Sequence, residues 1–170
     1  MKNNVIEEVG KVLEKIDDKN YEMLLSHIRK AKRVFLAGAG RSGLIGRCFA
    51  MRLMHLGIES HVVGETTCPS IKKGDLLIIV SCSGNNKSLL EFAKTACSRK
   101  ARVLAITSDN TPVASVSDYA IKIPLVKSVQ FGNSLFEQAA FLFLEMFLLV
   151  YGKRGKISHV SMAGRHANLE

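Results

Sequence analysis

Residues 81–88, Ser81-Cys82-Ser83-Gly84-Asn85-Asn86-Lys87-Ser88, place three serines, a glycine and two asparagines in one short stretch. An apolar run, Asp75-Leu76-Leu77-Ile78-Ile79-Val80, leads into it, and Ser88 to Arg99 continues with helical character. A buried strand therefore empties into a turn rich in hydroxyls and open amides, and a helix begins at once. Orphan N–H groups and the positive end of a helix dipole converge at such a place, which makes it a cradle for a dianionic phosphate. Ser81, Ser83 and Ser88 offer hydroxyls, Asn86 an amide, and Gly84 lets the backbone approach a ligand closely. A plain helix cap accounts for one of these residues but not for the group.

A second turn, Gly38-Ala39-Gly40-Arg41-Ser42-Gly43, follows the apolar run Arg33–Gly38. It matches the G-x-G-x-x-G pattern of dinucleotide sites in full. The acidic residue that should close the next strand, on the ribose, instead opens it as Glu59. Gly40, Arg41 and Ser42 suit a phosphosugar better, and a purely structural glycine turn is the bland alternative. Glu65, after a further apolar run, is either a second candidate catalytic carboxylate or a ligand for sugar hydroxyls, and Thr66 and Thr67 beside it are candidate sugar contacts.

The elements that must hold these turns follow from the spacing of apolar residues. Arg33–Gly38, Glu59–Gly64, Asp75–Ser81, Arg102–Ser108 and Tyr119–Pro124 are apolar throughout rather than alternating, as in strands covered on both faces. Helical spacing occupies Val5–Ile16, Tyr21–Ala31, Gly43–Leu56, Ser88–Arg99, Pro112–Ser117 and Asn133–Tyr151. The alternation predicts an α/β fold: a three-layer, doubly wound, five-stranded parallel sheet of flavodoxin-like type, with extra helices at both ends. Ligands of such sheets bind beyond the carboxyl ends of the strands, where both turns fall. The expected organisation is one domain over 1–170, with a helical segment 1–31, an α/β core 32–152 and a tail 153–170.

Composition narrows the function classes. With 47% hydrophobic and 23% charged residues, the chain has the make-up of a soluble globular domain. The most apolar window, Ala139–Tyr151, contains Glu145 and falls short of the ~18–20 residues that span a bilayer. No membrane partner and a cytoplasmic location are expected. The net charge of +9 is dispersed and lacks an exposed aromatic platform, so it fits an anionic metabolite and no nucleic acid. The four cysteines form no metal-ligand spacing, so no metal is expected.

The glycine turn paired with Ser-x-Ser-Gly resembles the sugar isomerase (SIS) domain of phosphosugar enzymes. Longer segments resemble the 6-phospho-3-hexuloisomerase family: Ala37–Gly43, Phe49-Ala50-Met51-Arg52-Leu53-Met54-His55-Leu56-Gly57, Val63-Gly64-Glu65-Thr66, the Leu135-Phe136-Glu137-Gln138 core and the terminal His166-Ala167-Asn168-Leu169-Glu170. The resemblance implies interconversion of 3-hexulose 6-phosphate and fructose 6-phosphate through a cis-enediol(ate), without metal or organic cofactor. It also implies a phosphorylated ketohexose as partner and a homotetramer or dimer. The all-round apolar run Asn133–Tyr151 agrees with burial against another subunit.

Within that resemblance Glu137 becomes the base, sitting near the start of the last long helix among Leu135, Phe136, Ala139 and Ala140. Its alternative role is a first-turn carboxylate favoured by the helix dipole. His166 becomes the acid/base partner, whose titration range suits proton shuttling, acting in its own or a neighbouring subunit's site. Three departures surround the ligand: Asn85-Asn86 replaces a charged residue followed by Thr, Cys68 stands where Thr is usual, and Asn133-Ser134 replaces a Thr-bearing version. Two alternatives stay open: another aldose–ketose phosphosugar isomerase, and a non-catalytic phosphosugar sensor.

Overall fold

A computed structural model describes residues 2–169 of the chain. Two helices, α1 (Lys2–Leu13) and α2 (Lys19–Lys30), precede the first strand. The core then runs β1 (Val34–Gly38), α3 (Gly40–His55), β2 (Ser60–Val62), β3 (Leu76–Ser81), α4 (Lys87–Ser98), β4 (Arg102–Thr107), α5 (Pro112–Ser115) and β5 (Tyr119–Lys122). It finishes with α6 (Ser134–Arg154) and a short α7 (His159–Ala163). The five strands form one parallel sheet in the order β2-β1-β3-β4-β5. This is the expected doubly wound arrangement, and the chain reverses direction across the sheet between β1 and β3.

Period-two alternation within each strand divides the core in two. Val34, Leu36, Leu76, Ile78, Val80, Leu104 and Ile106 face α1, α2, α3 and α6, packing against Phe49, Leu53, Phe143 and Phe147. Phe35, Ala37, Leu77, Ile79, Val103 and Ala105 face the other way, onto Leu89, Ala93 and Ala96 of α4 and Val113 of α5. Burying each large apolar side chain stabilises the fold by about 1.5–3 kcal/mol. At the amino edge of the sheet, Asp75 is fully buried and accepts from Arg33 Nη2 at 2.6 Å, Arg33 Nε at 3.2 Å and the Lys72 amide at 2.9 Å.

Several boundaries differ from the sequence expectation. α3 begins at Gly40 rather than Gly43, so Arg41 and Ser42 belong to its first turn. Gly40 takes φ +56°, and a Cβ on Gly38 would stand 2.8 Å from Gly43 Cα, so the glycines serve a sharp entry and close packing. α4 starts one residue early, at Lys87, because Asn86 caps it by accepting from the Leu89 amide at 3.2 Å. β2 shrinks to three half-buried residues, the edge strand having a neighbour on one side only. α6 extends to Arg154 and has the length and hydropathy of a membrane span, more than the Ala139–Tyr151 window suggested. Its buried side runs through Leu135, Phe136, Ala139, Ala140, Phe143, Leu144, Phe147 and Leu148 and packs into the core, while Phe141, Leu142, Met146 and Leu149 on its other side are exposed.

Candidate active site

Both turns lie side by side at the carboxyl edge, because β1 and β3 are direct neighbours and Gly38 pairs with Val80. The Ser81–Ser88 turn is built from within. Ser81 is buried, and its Oγ accepts from the Gly84 amide at 3.2 Å, closing the turn. Ser83 and Ser88 are the exposed hydroxyls of the stretch. The amides of Lys87 and Ser88 open α4 and have no carbonyl a turn earlier to receive them. Asn86 spends its side-chain carbonyl on the cap, leaving its amide NH2 as the group with donors to offer.

A hydroxyl network from β4 and the segment after it supports this turn from behind. Thr107 Oγ1 donates to the Ser81 carbonyl at 2.6 Å and lies 2.9 Å from Thr111 Oγ1, while Ser108 Oγ donates to the Cys82 carbonyl at 2.7 Å. Thr107, Ser108 and Thr111 are all buried. Gly84 takes φ +62° directly against Thr111, where a Cβ would approach Thr111 Cβ to 2.6 Å. These three hydroxyl residues escape sequence reasoning: they lie some 25 residues downstream of the turn, and only parallel pairing of β3 with β4 brings them behind it. The one available signal was Thr-Ser at the carboxyl end of a buried strand.

Across from the turn stands the first turn of α6. Arg41 Nε lies 2.8 Å from Glu137 Oε2, and Arg41 Nη1 donates to Ser134 Oγ at 3.0 Å. The Glu137 side chain is 14% exposed, so it is largely withdrawn from water beside an arginine that is not. Cys82 is buried close by. Desolvation, with the Glu137 carboxylate nearby, pushes its thiol up to about 11, so it remains a neutral group at the site. Arg41, Ser134, Glu137 and the Cys82–Ser88 turn therefore form one constellation: amides and hydroxyls for an anion, and a shielded carboxylate with a cation beside it.

Other expected site residues are placed elsewhere. Glu65 pairs with Arg47 on the flank of α3, and Thr66 is exposed beside it. Ser42 is buried under the first turn of α3. His166 lies far from Glu137 within the same chain. Its Nδ1 stands 2.9 Å from Nε2 of His55, the last residue of α3. Arg165 reinforces this docking through Nη1 to the His55 carbonyl at 3.1 Å. α3 has 16 residues and so spans about 24 Å, which separates that end from Arg41. Among the described residues, no group of three or more His, Cys, Asp or Glu side chains is arranged to hold a metal ion.

Comparison with known proteins agrees with the fold. Residues 27–150 match the SIS domain model. The chain is 42% identical over 149 residues to the 3-hexulose-6-phosphate isomerase of Methanocaldococcus jannaschii, covering 87% of this chain and 83% of that protein. It is 38% identical to the enzyme of the same name from Mycobacterium gastri, covering 98% and 88% of the two chains. A crystal structure from Methanococcus jannaschii, described as inferring a molecular function of 3-hexulose-6-phosphate isomerase, superimposes with a TM-score of 0.92 at 40% identity, covering 99% and 98%. The chain belongs to the SIS domain family and groups within it with the 3-hexulose-6-phosphate isomerases.

Proposed function

We propose that the protein is a phosphosugar isomerase that interconverts 3-hexulose 6-phosphate and fructose 6-phosphate in the cytoplasm. The observation that carries this reading is the Arg41–Glu137 pair beside an amide-rich turn, in a chain whose relatives bear that enzyme's name. The phosphate binds the amides of Lys87 and Ser88 and the hydroxyls of Ser83 and Ser88, which leaves the ketose carbons toward α6. Glu137 takes the proton from C2 as the C3 carbonyl becomes an enediolate oxygen, and a proton returns to C3 as the C2 oxygen becomes the carbonyl. One C–H bond breaks, one forms, and the O2 hydroxyl proton passes to O3. Arg41 neutralises the developing oxyanion and holds Glu137 in place.

His166 reaches this chemistry only from a second copy, since its own chain docks it at the far end of α3. A homotetramer, or a dimer, that sets one protomer's tail over another's site supplies it. Exposed Leu44 and Met51 on α3 and Met146 and Leu149 on α6 provide apolar area for such packing. The test supplies ribulose 5-phosphate, formaldehyde and the synthase to generate 3-hexulose 6-phosphate in situ, and follows fructose 6-phosphate. No turnover refutes the activity. The Glu137→Gln variant should bind the sugar phosphate normally and lose at least about 100-fold in kcat, the low end of what general acid–base catalysis contributes; full activity removes Glu137 as the base.

A further inference from the structure

Residues 123–133, between β5 and α6, adopt no regular element, yet they lead directly into Ser134 and Glu137. Apolar packing does little to hold the distal part of this segment. Val129 is 73% exposed and Phe131 92%. Its order comes instead from one carboxylate on α1. Glu8 Oε2 accepts from Ser128 Oγ at 2.7 Å and from Gln130 Nε2 at 3.3 Å, and Glu8 Oε1 accepts from the Val129 amide at 3.0 Å. Ser128 Oγ in turn accepts from the Gln130 amide at 3.0 Å, so its proton is available to Glu8.

The connection continues into the site. Gln130 Oε1 accepts from Gln138 Nε2 at 2.8 Å, on the residue next to Glu137. The Phe131 carbonyl accepts from Ser134 Oγ at 2.8 Å, and Ser134 Oγ itself accepts from Arg41 Nη1. Gly132, at φ +61°, lies against the Arg41 guanidinium. Hydrogen bonds thus run from Glu8 through 128–130 to Gln138, and the end of the same segment braces the arginine that pairs with Glu137.

We infer that Glu8 is a positioning residue for the isomerase reaction, clamping residues 128–130 so that Ser134, Arg41 and Glu137 keep their mutual geometry. The kinetic part of this inference rests on the proposed function; the clamp itself does not. The donors around Glu8, the Val129 amide foremost and then the Ser128 hydroxyl, hold its carboxyl below the ordinary range, so the accepting form persists at neutral pH. A misplacement of about 1 Å at the reacting groups can cost about 100-fold in rate even when the perturbed residue is remote.

The experiment compares wild type with Glu8→Ala and Glu8→Gln by amide hydrogen exchange, thermal melting and steady-state kinetics. In Glu8→Ala, exchange should accelerate at Val129 and Gln130 and also across the Ser134–Gln138 amides, which needs no substrate. With 3-hexulose 6-phosphate, kcat should fall about 10-fold while KM stays within about twofold. Glu8→Gln retains one acceptor oxygen but turns an NH2 toward neighbouring donors, so it should fall between the two. Unchanged exchange at 134–138, or a loss of activity that only tracks the melting temperature, overturns the inference. If wild type turns over no substrate while exchange responds as stated, the clamp stands and it is the activity that fails.

Discussion

Replacing Gly84 with alanine tests the rigidity of the anion turn most directly. Gly84 has φ +62°, and a Cβ there would lie 2.6 Å from Thr111 Cβ and 2.8 Å from both Thr111 Oγ1 and Val113 Cγ1. Gly40 provides the control: its φ is +56°, and a Cβ would meet nothing within 4 Å. Both substitutions carry the left-handed backbone cost of about 1–2 kcal/mol. Gly84→Ala adds an overpacking cost of about 1–3 kcal/mol, because Thr111 and Val113 are buried and cannot swing away. The expected losses are thus about 1–2 kcal/mol for Gly40→Ala and about 2–5 kcal/mol, centred near 3.5, for Gly84→Ala. At roughly 3 °C per kcal/mol for a domain of this size, the melting temperatures should fall by about 4 °C and about 10 °C. Calorimetric melts of both variants decide it. Equal losses would show that the turn yields, and that Thr107, Ser108 and Thr111 do not fix it.

Ser83→Ala should raise KM for phosphorylated substrate roughly tenfold, one hydrogen bond to a charged group, with the melting temperature within about 1 °C; an equal loss of affinity for the unphosphorylated ketose would contradict the phosphate role. Asp75→Ala leaves the largely buried Arg33 guanidinium without its carboxylate and should destabilise by roughly 3 kcal/mol, measured by urea unfolding, with KM unchanged because that edge lies opposite the site. Cys82 keeps its proton in the fold up to about 11 against 9.0 for an unperturbed thiol. Its contribution is therefore full below pH 9 and is lost as pH rises toward 11, since the unfolded chain ionises first. Unfolding measured between those values should show a slope that Cys82→Ala removes.

Continuous apolar runs at Leu76–Val80 and Val103–Ile106 made the parallel sheet legible, since strands covered on both faces need no polar alternation. The two turns were legible for a related reason: glycine and serine there have no packing task to explain them. The support behind them was not. Thr107 and Ser108 reach the Ser81 and Cys82 carbonyls only through the pairing of β3 with β4, and Glu8 meets Ser128 across 120 residues of chain. His166 stands out by its type, but where it docks depends on His55 and Arg165, which no local pattern signals. Ser81, expected as a ligand, is turned inward by the strand's alternation, and its Oγ accepts from the Gly84 amide within the turn.

The strand order has a consequence for how the protein acquires its function. β1 pairs with β3, and the chain between them must travel out to form β2 before the two turns can meet. Glu137 arrives later still, on the last long helix. The site is therefore assembled from three separated parts of the chain, and the β1–β3 pairing that joins the two turns must overcome the entropy of closing the loop between them. Ligand occupancy and global folding then become one equilibrium: a sugar phosphate at 100 times its dissociation constant adds about 2.7 kcal/mol to the stability of the whole domain. In a cell, the abundance of such a protein rises with the supply of its own substrate, because an occupied site withdraws the chain from the unfolded pool that proteases sample.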